Sequence, residues 1–326
     1  MEDCGFCSLC ACFCCYETEM LNSDIEYGMA ANAKGAPKER KGKRAVKFEK
    51  YHGIGNDYLV YDCQKNTEEL DADKIRKICD RNFGVGSDGI LAGPYIEDGD
   101  FAVRVFNPDG SEAKRAGNGI RIFAKYLKDA GYTLSERLNI RTKGGNVQVR
   151  FLNADGTRIQ ADMGRLSFSS KDAGLVGETR EALREKMVFG QKEYDCSCVS
   201  MGNTHCVIPM DEISREKICK IGAFSERSEY FHDRINTQIM KVLDKNNIQI
   251  EIFERGAGYT LASGTSSCAA AGAAYRLGMI DSDVMVHMPG GKLWIQIDEE
   301  WRVKMTGSVQ SVCRIEMTED FLRFEP

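Results

Sequence analysis

Two short stretches carry residue types suited to holding a small anion. Gly117-Asn118-Gly119 and Gly264-Thr265-Ser266 each open a segment of helical spacing with small or polar residues. The first backbone N–H groups of a helix have no partner within it, and the aligned peptide dipoles add positive potential there. Such starts bind carboxylates, and two facing starts can hold one carboxylate between them. The plainer reading of each, taken singly, is a glycine-rich cap. A third stretch points to other chemistry. Cys4 and Cys7, and Cys7 and Cys10, have the Cys-x-x-Cys spacing at which thiolates bind zinc. That run lacks a clear second pair and a nearby histidine, so no metal site is expected. Acylation of an exposed cysteine cluster is a second reading, with membrane attachment if several chains are added. The favoured reading is a flexible extension over residues 1–45, Cys-rich at its start and closing in the basic block Lys38-Glu39-Arg40-Lys41-Gly42-Lys43-Arg44.

The elements that must position the two candidate helix starts repeat within the chain. From Val46 the pattern turns regular: residues 47–52 alternate in strand fashion, and Tyr58-Leu59-Val60-Tyr61 is a second strand candidate. Gly55-Asn56 recurs as Gly202-Asn203, 147 positions later. Phe106 recurs as Phe253, Gly117 as Gly264, Ala124 as Ala271 and Gly131 as Gly278 at the same offset. Gly144-Gly145 and Gly290-Gly291 each precede an alternating strand. Several matches at one spacing predict two similar halves. In each half a strand runs through a turn into a helix. The first is Phe101–Phe106, the turn Asn107-Pro108-Asp109-Gly110, and a helix from about Gly119 to Ala130. The second is Gln249–Phe253, a loop over Glu254–Gly264, and an Ala-rich helix from about Ser266 to Leu277 that other structure should surround closely.

The bulk composition excludes some classes of function. The 326 residues suffice for two ordinary domains, and 42% hydrophobic content predicts a packed core. Lys plus Arg is 44 against 49 Asp plus Glu, a net charge of −5 with no footprint for nucleic acid. No apolar run approaches the roughly 20 residues that span a bilayer. Glu2 and Asp3 sit where a secretory signal needs positive charge. Outside the N-terminal run, the cysteines are scattered, which predicts reduced thiols in a cytoplasmic protein.

The motifs, taken in order, resemble the diaminopimelate epimerase family over nearly the whole of residues 46–310. They are His52-Gly53-Ile54-Gly55-Asn56-Asp57-Tyr58, Asp80-Arg81 with Gly84-Val85-Gly86-Ser87-Asp88-Gly89, and Phe106-Asn107-Pro108-Asp109-Gly110-Ser111-Glu112-Ala113. Further on stand Gly117-Asn118-Gly119-Ile120-Arg121, Ser200-Met201-Gly202-Asn203-Thr204-His205, Glu254-Arg255-Gly256-Ala257-Gly258 and His287-Met288-Pro289-Gly290-Gly291.

The resemblance implies an α/β (α+β) fold of two pseudo-symmetric domains, each a mixed sheet wrapped around a central helix, with the active site in the cleft between them. The boundaries expected are 46–160 plus a returning 304–326 for one domain and 161–303 for the other. It also implies a cofactor-independent isomerase of amino-acid (lysine) biosynthesis, in which one cysteine from each domain faces the substrate's α-carbon. One thiolate takes the α-proton and the opposite thiol returns one to the other face. Inverting a stereocentre needs such a group on each side. The expected partners are a small-molecule amino acid and a second copy of the chain.

At the two positions where the resemblance implies cysteines, this sequence has Ala116 and Ser263. Alanine carries no proton. A thiol titrates near ~8.5 and an unassisted hydroxyl closer to water at ~15.7, a gap of roughly 7 units or about 10 kcal/mol of proton affinity. The family usually has Glu where Tyr259 stands, Pro where Thr204 stands and often Gln where Gly89 stands; this coordinated drift marks a natural divergent member. The residues implied to grip the non-reacting end of the ligand remain: Asn56, Asn107, Asn203, Asn236, Glu254 and Arg255, beside Gly117, Asn118, Gly264 and Thr265 at the helix starts. Arg255 suits a planar carboxylate and Glu254 an ammonium. Replacement chemistry has two candidates, His205 as a group titrating near neutral pH and Tyr259 as a weak acid near the ligand. Cys268 is expected to be a packing residue, and Asp88 and Asp109 to fix turns. Three readings stand together at this stage: an amino-acid epimerase or racemase acting on diaminopimelate or a similar small amino acid, a proton-shifting isomerase of another small carboxylate, and a catalytically dead ligand-binding relative.

Overall fold

A computed structural model describes residues 45–97, 99–113 and 117–323. The Cys-rich and basic N-terminal stretch therefore lies outside the described residues, as do Lys114, Arg115 and Ala116. The description that follows concerns the body from Ala45 onward.

Its first half runs β1 (Lys47–Gly53), β2 (Asn56–Asp62), α1 (Ala72–Cys79), β3 (Ile90–Glu97), β4 (Asp100–Phe106), β5 (Glu112–Ala113), α2 (Gly117–Asp129), β6 (Arg137–Thr142), β7 (Gly145–Phe151) and β8 (Arg158–Arg165). After an additional strand β9 (Glu185–Phe189), the order recurs as β10 (Lys192–Ser200), β11 (Thr204–Pro209), α3 (Arg215–Ser225), β12 (Asn236–Asp244), β13 (Asn247–Glu254), β14 (Gly258–Thr260), α4 (Gly264–Arg276), β15 (Asp283–Met288), β16 (Gly291–Ile297) and β17 (Arg302–Ser308). β18 (Gln310–Glu316) and the short α5 (Glu319–Arg323) follow.

Pairing repeats along with order. β1–β2 is an antiparallel hairpin and β2–β3 is parallel, matched by β10–β11 and β11–β12. β4–β6 is parallel and β6–β7 antiparallel, matched by β13–β15 and β15–β16. The halves join edge to edge where β8 meets β17 antiparallel, and β18 returns to pair with β1.

Each half wraps its strands around one long helix, α2 or α4, each of 13 residues. Residues Asn118 to Leu127 of α2 are buried throughout. A helix enclosed on all sides must be apolar or small nearly all round. Alanines at 269, 270, 271, 273 and 274, none of them exposed, let the strands approach α4. At Gly272 a Cβ would lie 2.6 Å from Cδ1 of Leu166, just after β8. The two helices begin two residues earlier than the periodicity predicts. For α4 the cause is local: Ser263 caps the helix, its side chain accepting from Ser266 N.

Among the described residues, Cys63, Cys79, Cys196, Cys198, Cys206, Cys219, Cys268 and Cys313 carry free thiols, as their scatter predicts. No helix among them is long and apolar enough to cross a membrane.

Candidate functional site at the paired helix starts

The starts of α2 and α4 come together on one side chain of β17. A Cβ at Gly117 would lie 3.3 Å from Met305 Cε, and one at Gly264 would lie 3.0 Å from Met305 Sδ and 3.6 Å from Asn118 Oδ1. Glycine at both positions makes room for methionine side chains, with Met163 Cε only 2.8 Å from a Cβ at Gly117.

Asn56 and Asn118 meet here. Asn118 Nδ2 donates to Asn56 Oδ1 at 3.1 Å, and Asn56 Nδ2 donates to Asp88 Oδ2 at 2.8 Å. Asp88 does more than fix a turn. It pairs with Arg81 at 2.6 Å and accepts from Asp57 N. Asp57 in turn binds Lys50 and Arg81; burial raises its carboxyl, but the hydrogen bonds from these two cations outweigh burial and hold it below its usual range. The hairpin carrying Asn56 turns through Ile54 (φ 51°) and Gly55 (φ 87°). Positive φ at both central residues fits the right-handed strand twist, and is costly for a β-branched side chain. The turn rests against Gly290, where a Cβ would lie 2.3 Å from the Ile54 carbonyl oxygen.

The second half builds the counterpart. Asn203 Nδ2 donates to Thr265 Oγ1 at 3.3 Å. Asn236 Nδ2 donates to Thr204 O, and its Oδ1 accepts from Arg255 N at 3.1 Å, so this side chain ties β11 to the loop after β13. The Arg255 guanidinium reaches Asp233 at 3.0 Å. Glu254 is part-buried, and the buried Ser263 side chain lies near its carboxyl. Burial raises the Glu254 pKa, Ser263 lowers it in part, and the charge of Asp88 raises it further. Asn107 stands somewhat apart from these contacts: its side chain donates to Ser111 Oγ, closing the turn in which Asp109 accepts from Ser111 N.

Two sequence expectations need correction. His205 does not titrate near neutral pH. It is fully buried between Asn203 Oδ1 (3.0 Å, to Nε2) and Gln238 Nε2 (3.1 Å, to Nδ1). Burial, with the charge of Arg255, pushes its pKa down to about 3. The neutral ring bridges the Asn203 and Gln238 side-chain amides: a positioning histidine.

Tyr259 does not serve as a weak acid at the helix starts. Its hydroxyl donates to Glu251 at 2.9 Å, its ring lies under Arg215 of α3, and burial beside Glu251 pushes its pKa to about 12. The physical reason is register. Tyr259 pairs opposite Phe253, so it shares the face of Phe253 and Glu251, whereas Glu254 points the other way. Cys268 is a packing residue, as expected: it is fully buried, and desolvation drives its thiol up to about 12. The position of Ala116 lies outside the described residues. Reasoning from sequence missed Met305 as the shared floor, Asp88 as the anchor of Asn56, and Arg121 beneath Asn118.

The sequence profile of the family described as Diaminopimelate epimerase matches residues 48–169 and 197–312. The chain belongs to the diaminopimelate epimerase family. It is 46% identical over 281 residues to Diaminopimelate epimerase 2 of a Nostoc species, covering 86% of this chain and 98% of that one. It is 37% identical over 276 residues to the Diaminopimelate epimerase of a Synechocystis species, with 82% and 97% covered. Among solved structures it is similar in fold to a probable proline racemase from Agrobacterium radiobacter, with a TM-score of 0.64 at 11% identity over 84% of this chain and 93% of that one. Membership of the diaminopimelate epimerase family makes this an isomerase of the amino-acid epimerase class.

Proposed function

We propose that the protein binds diaminopimelate or a close analogue, with its reacting carboxylate at the helix starts Gly117-Asn118 and Gly264-Thr265. Its far end meets Asn56, Asn107, Asn203, Asn236 and Arg255, while Glu254, beside Ser263, faces the reacting end and not the ammonium its family position implies. Two relatives that bear the epimerase name and match nearly end to end support the substrate. The division of the body into 46–160 with 304–326 and 161–303 belongs to the same reading, supported by the repeated strand pairing, as do a homodimeric state, a cytoplasmic place in lysine biosynthesis and no role for nucleic acid.

The nearness of the Glu254 carboxyl to Ser263 carries the chemical part. The Ser263 hydroxyl alone is a weak base, but beside a carboxylate of raised pKa it has a group to pass a proton to. Glu254 thereby acts as acid and base for the α4 face, and the N–H groups of both helix starts stabilise the enolate-like charge that forms when the α-proton leaves. Ala116 brings no acid or base to the α2 face. Exchange at the α-carbon is therefore one-sided, and ordinary two-thiol epimerisation is very slow.

The test incubates the purified protein with meso- and L,L-diaminopimelate in heavy water and follows α-hydrogen exchange by proton NMR. Exchange without loss of configuration, abolished in Glu254→Gln, is the expected result. Rapid interconversion of the two stereoisomers overturns the chemistry, and absence of calorimetric binding of either one overturns the substrate.

A further inference from the structure

Helix α2 buries a cation to which no carboxylate among the described residues is paired. Arg121 is fully buried and makes no ion pair among the described residues. Its Nη2 donates to Asn118 Oδ1 at 2.9 Å, its Nη1 approaches the Met305 sulfur at 3.4 Å, and its Nε has no partner among the described residues. Glycine at 307 makes room for it, since a Cβ there would lie 2.9 Å from Nη2. A buried guanidinium served by one amide oxygen and one thioether costs stability, and an apolar side chain of similar volume generally does not. Packing alone therefore gives no reason for an arginine here.

The hydrogen bonds of Arg121 supply one. Asparagine amides can usually point either way, because oxygen and nitrogen have the same shape. Here both ends of a chain of amides are fixed. Arginine only donates, so Asn118 must turn its oxygen to Arg121. The Asn118 amide nitrogen then faces Asn56 Oδ1 at 3.1 Å. A carboxylate only accepts, so Asn56 must turn its nitrogen to Asp88, which Arg81 holds from the other side. Reversing Asn118 would set nitrogen against arginine and oxygen against oxygen; reversing Asn56 would set nitrogen against nitrogen and oxygen against a bare carboxylate.

We propose that Arg121 is a positioning residue: it sets the direction of the Asn118–Asn56 relay, and so decides which atoms of Asn56 remain to face a ligand. One lone pair of Asn56 Oδ1 and one hydrogen of Nδ2 stay free, in fixed directions, at the edge of the helix starts. The unneutralised charge also lies directly beneath the point where both helix dipoles favour an anion. Burial pushes the guanidinium pKa down to about 10, which leaves it charged at neutral pH. The consequence for ligand affinity rests on the substrate reading above; the relay itself does not.

The test uses the full chain labelled with nitrogen-15 at asparagine side chains, with Asn56 assigned by substitution. Wild type, Arg121→Met and Asn118→Asp are compared without ligand, and then by calorimetry with meso-diaminopimelate. Asn118→Asp keeps an acceptor for Arg121 and removes the donor to Asn56. It should raise the melting temperature by giving the buried cation a carboxylate, yet speed side-chain hydrogen exchange at Asn56 at least tenfold. Arg121→Met should release Asn56 likewise. Each variant should weaken meso-diaminopimelate binding at least tenfold, and the double variant should be no weaker than the weaker single one. Unchanged Asn56 signals in either folded variant, or a lowered melting temperature in Asn118→Asp, overturn the proposal. If Arg121→Met does not fold, Asn118→Asp decides it alone. If wild type fails to bind meso-diaminopimelate, the substrate reading falls while the Asn56 signals still decide the relay.

Discussion

Asn203 donates its side-chain amide to Thr265 at 3.3 Å, and 147 positions earlier the same two places hold Asn56 and Asn118, joined at 3.1 Å. The two bonds run in opposite senses. Asn118 must donate because Arg121 occupies its oxygen; Asn203 instead sets the other end of its amide against His205. A repeated backbone has thus been given two different means of fixing one asparagine at each helix start.

If both asparagines hold the ligand, Asn56→Ala and Asn203→Ala should each weaken binding of diaminopimelate by about 1–3 kcal/mol, the cost of leaving a buried polar partner unpaired. Calorimetric titration of the folded variants checks this. Equal affinity in either variant removes that asparagine from the site.

Buried, neutral His205 makes stability depend on pH. Its pKa is about 3 in the folded chain against about 6.5 when exposed, so below pH 6.5 the unfolded chain takes up a proton that the folded chain refuses. Stability from this group is complete above pH 6.5 and falls as pH is lowered toward 3, by about 2 kcal/mol between pH 6.5 and 5. His205→Gln should lack this component. Urea unfolding at both pH values measures it: a pH dependence equal in wild type and variant would show that His205 protonates in the folded state.

Ala116→Cys combined with Ser263→Cys should raise the rate at which L,L- and meso-diaminopimelate interconvert by at least about 100-fold, the lower range of acid–base catalysis. Ser263→Cys alone should accelerate exchange in heavy water without interconversion, since it furnishes one face only. A double variant that binds substrate but stays inactive would mean that more than the two bases has been lost.

Gly290→Ala should destabilise the protein by about 1–3 kcal/mol, as overpacking does. The added Cβ would meet the Ile54 carbonyl at 2.3 Å, and backbone yields less readily than a flexible side chain. Because Ile54 already sits at φ 51°, the hairpin that carries Asn56 should shift as well. Thermal unfolding and diaminopimelate affinity report the two effects. A fully stable Gly290→Ala chain would show that the hairpin and the β15–β16 turn are not pressed together.

Much of this was legible in the sequence, for a common reason. The repeat, the helix starts and the family motifs are written in glycines and asparagines whose backbone requirements are local, so spacing along the chain reveals them. Gly117 and Gly264 mark two helix starts before any fold is known, and Ala-rich α4 announces its own burial. Ala116 and Ser263 stand in plain view where the resemblance implies two thiols. Only the tertiary structure decided which side chains face one another. Tyr259 lies five residues from Glu254, yet strand register sends it to Glu251 on the opposite face. His205 looks like a titrating group until its burial beside Gln238 is seen, because desolvation is a property of the surroundings and not of the residue. Arg121 reads as one more helix residue until β17 closes over it; its charge, its missing carboxylate and its hold on Asn118 exist only where strands distant in sequence exclude the water that would otherwise serve it.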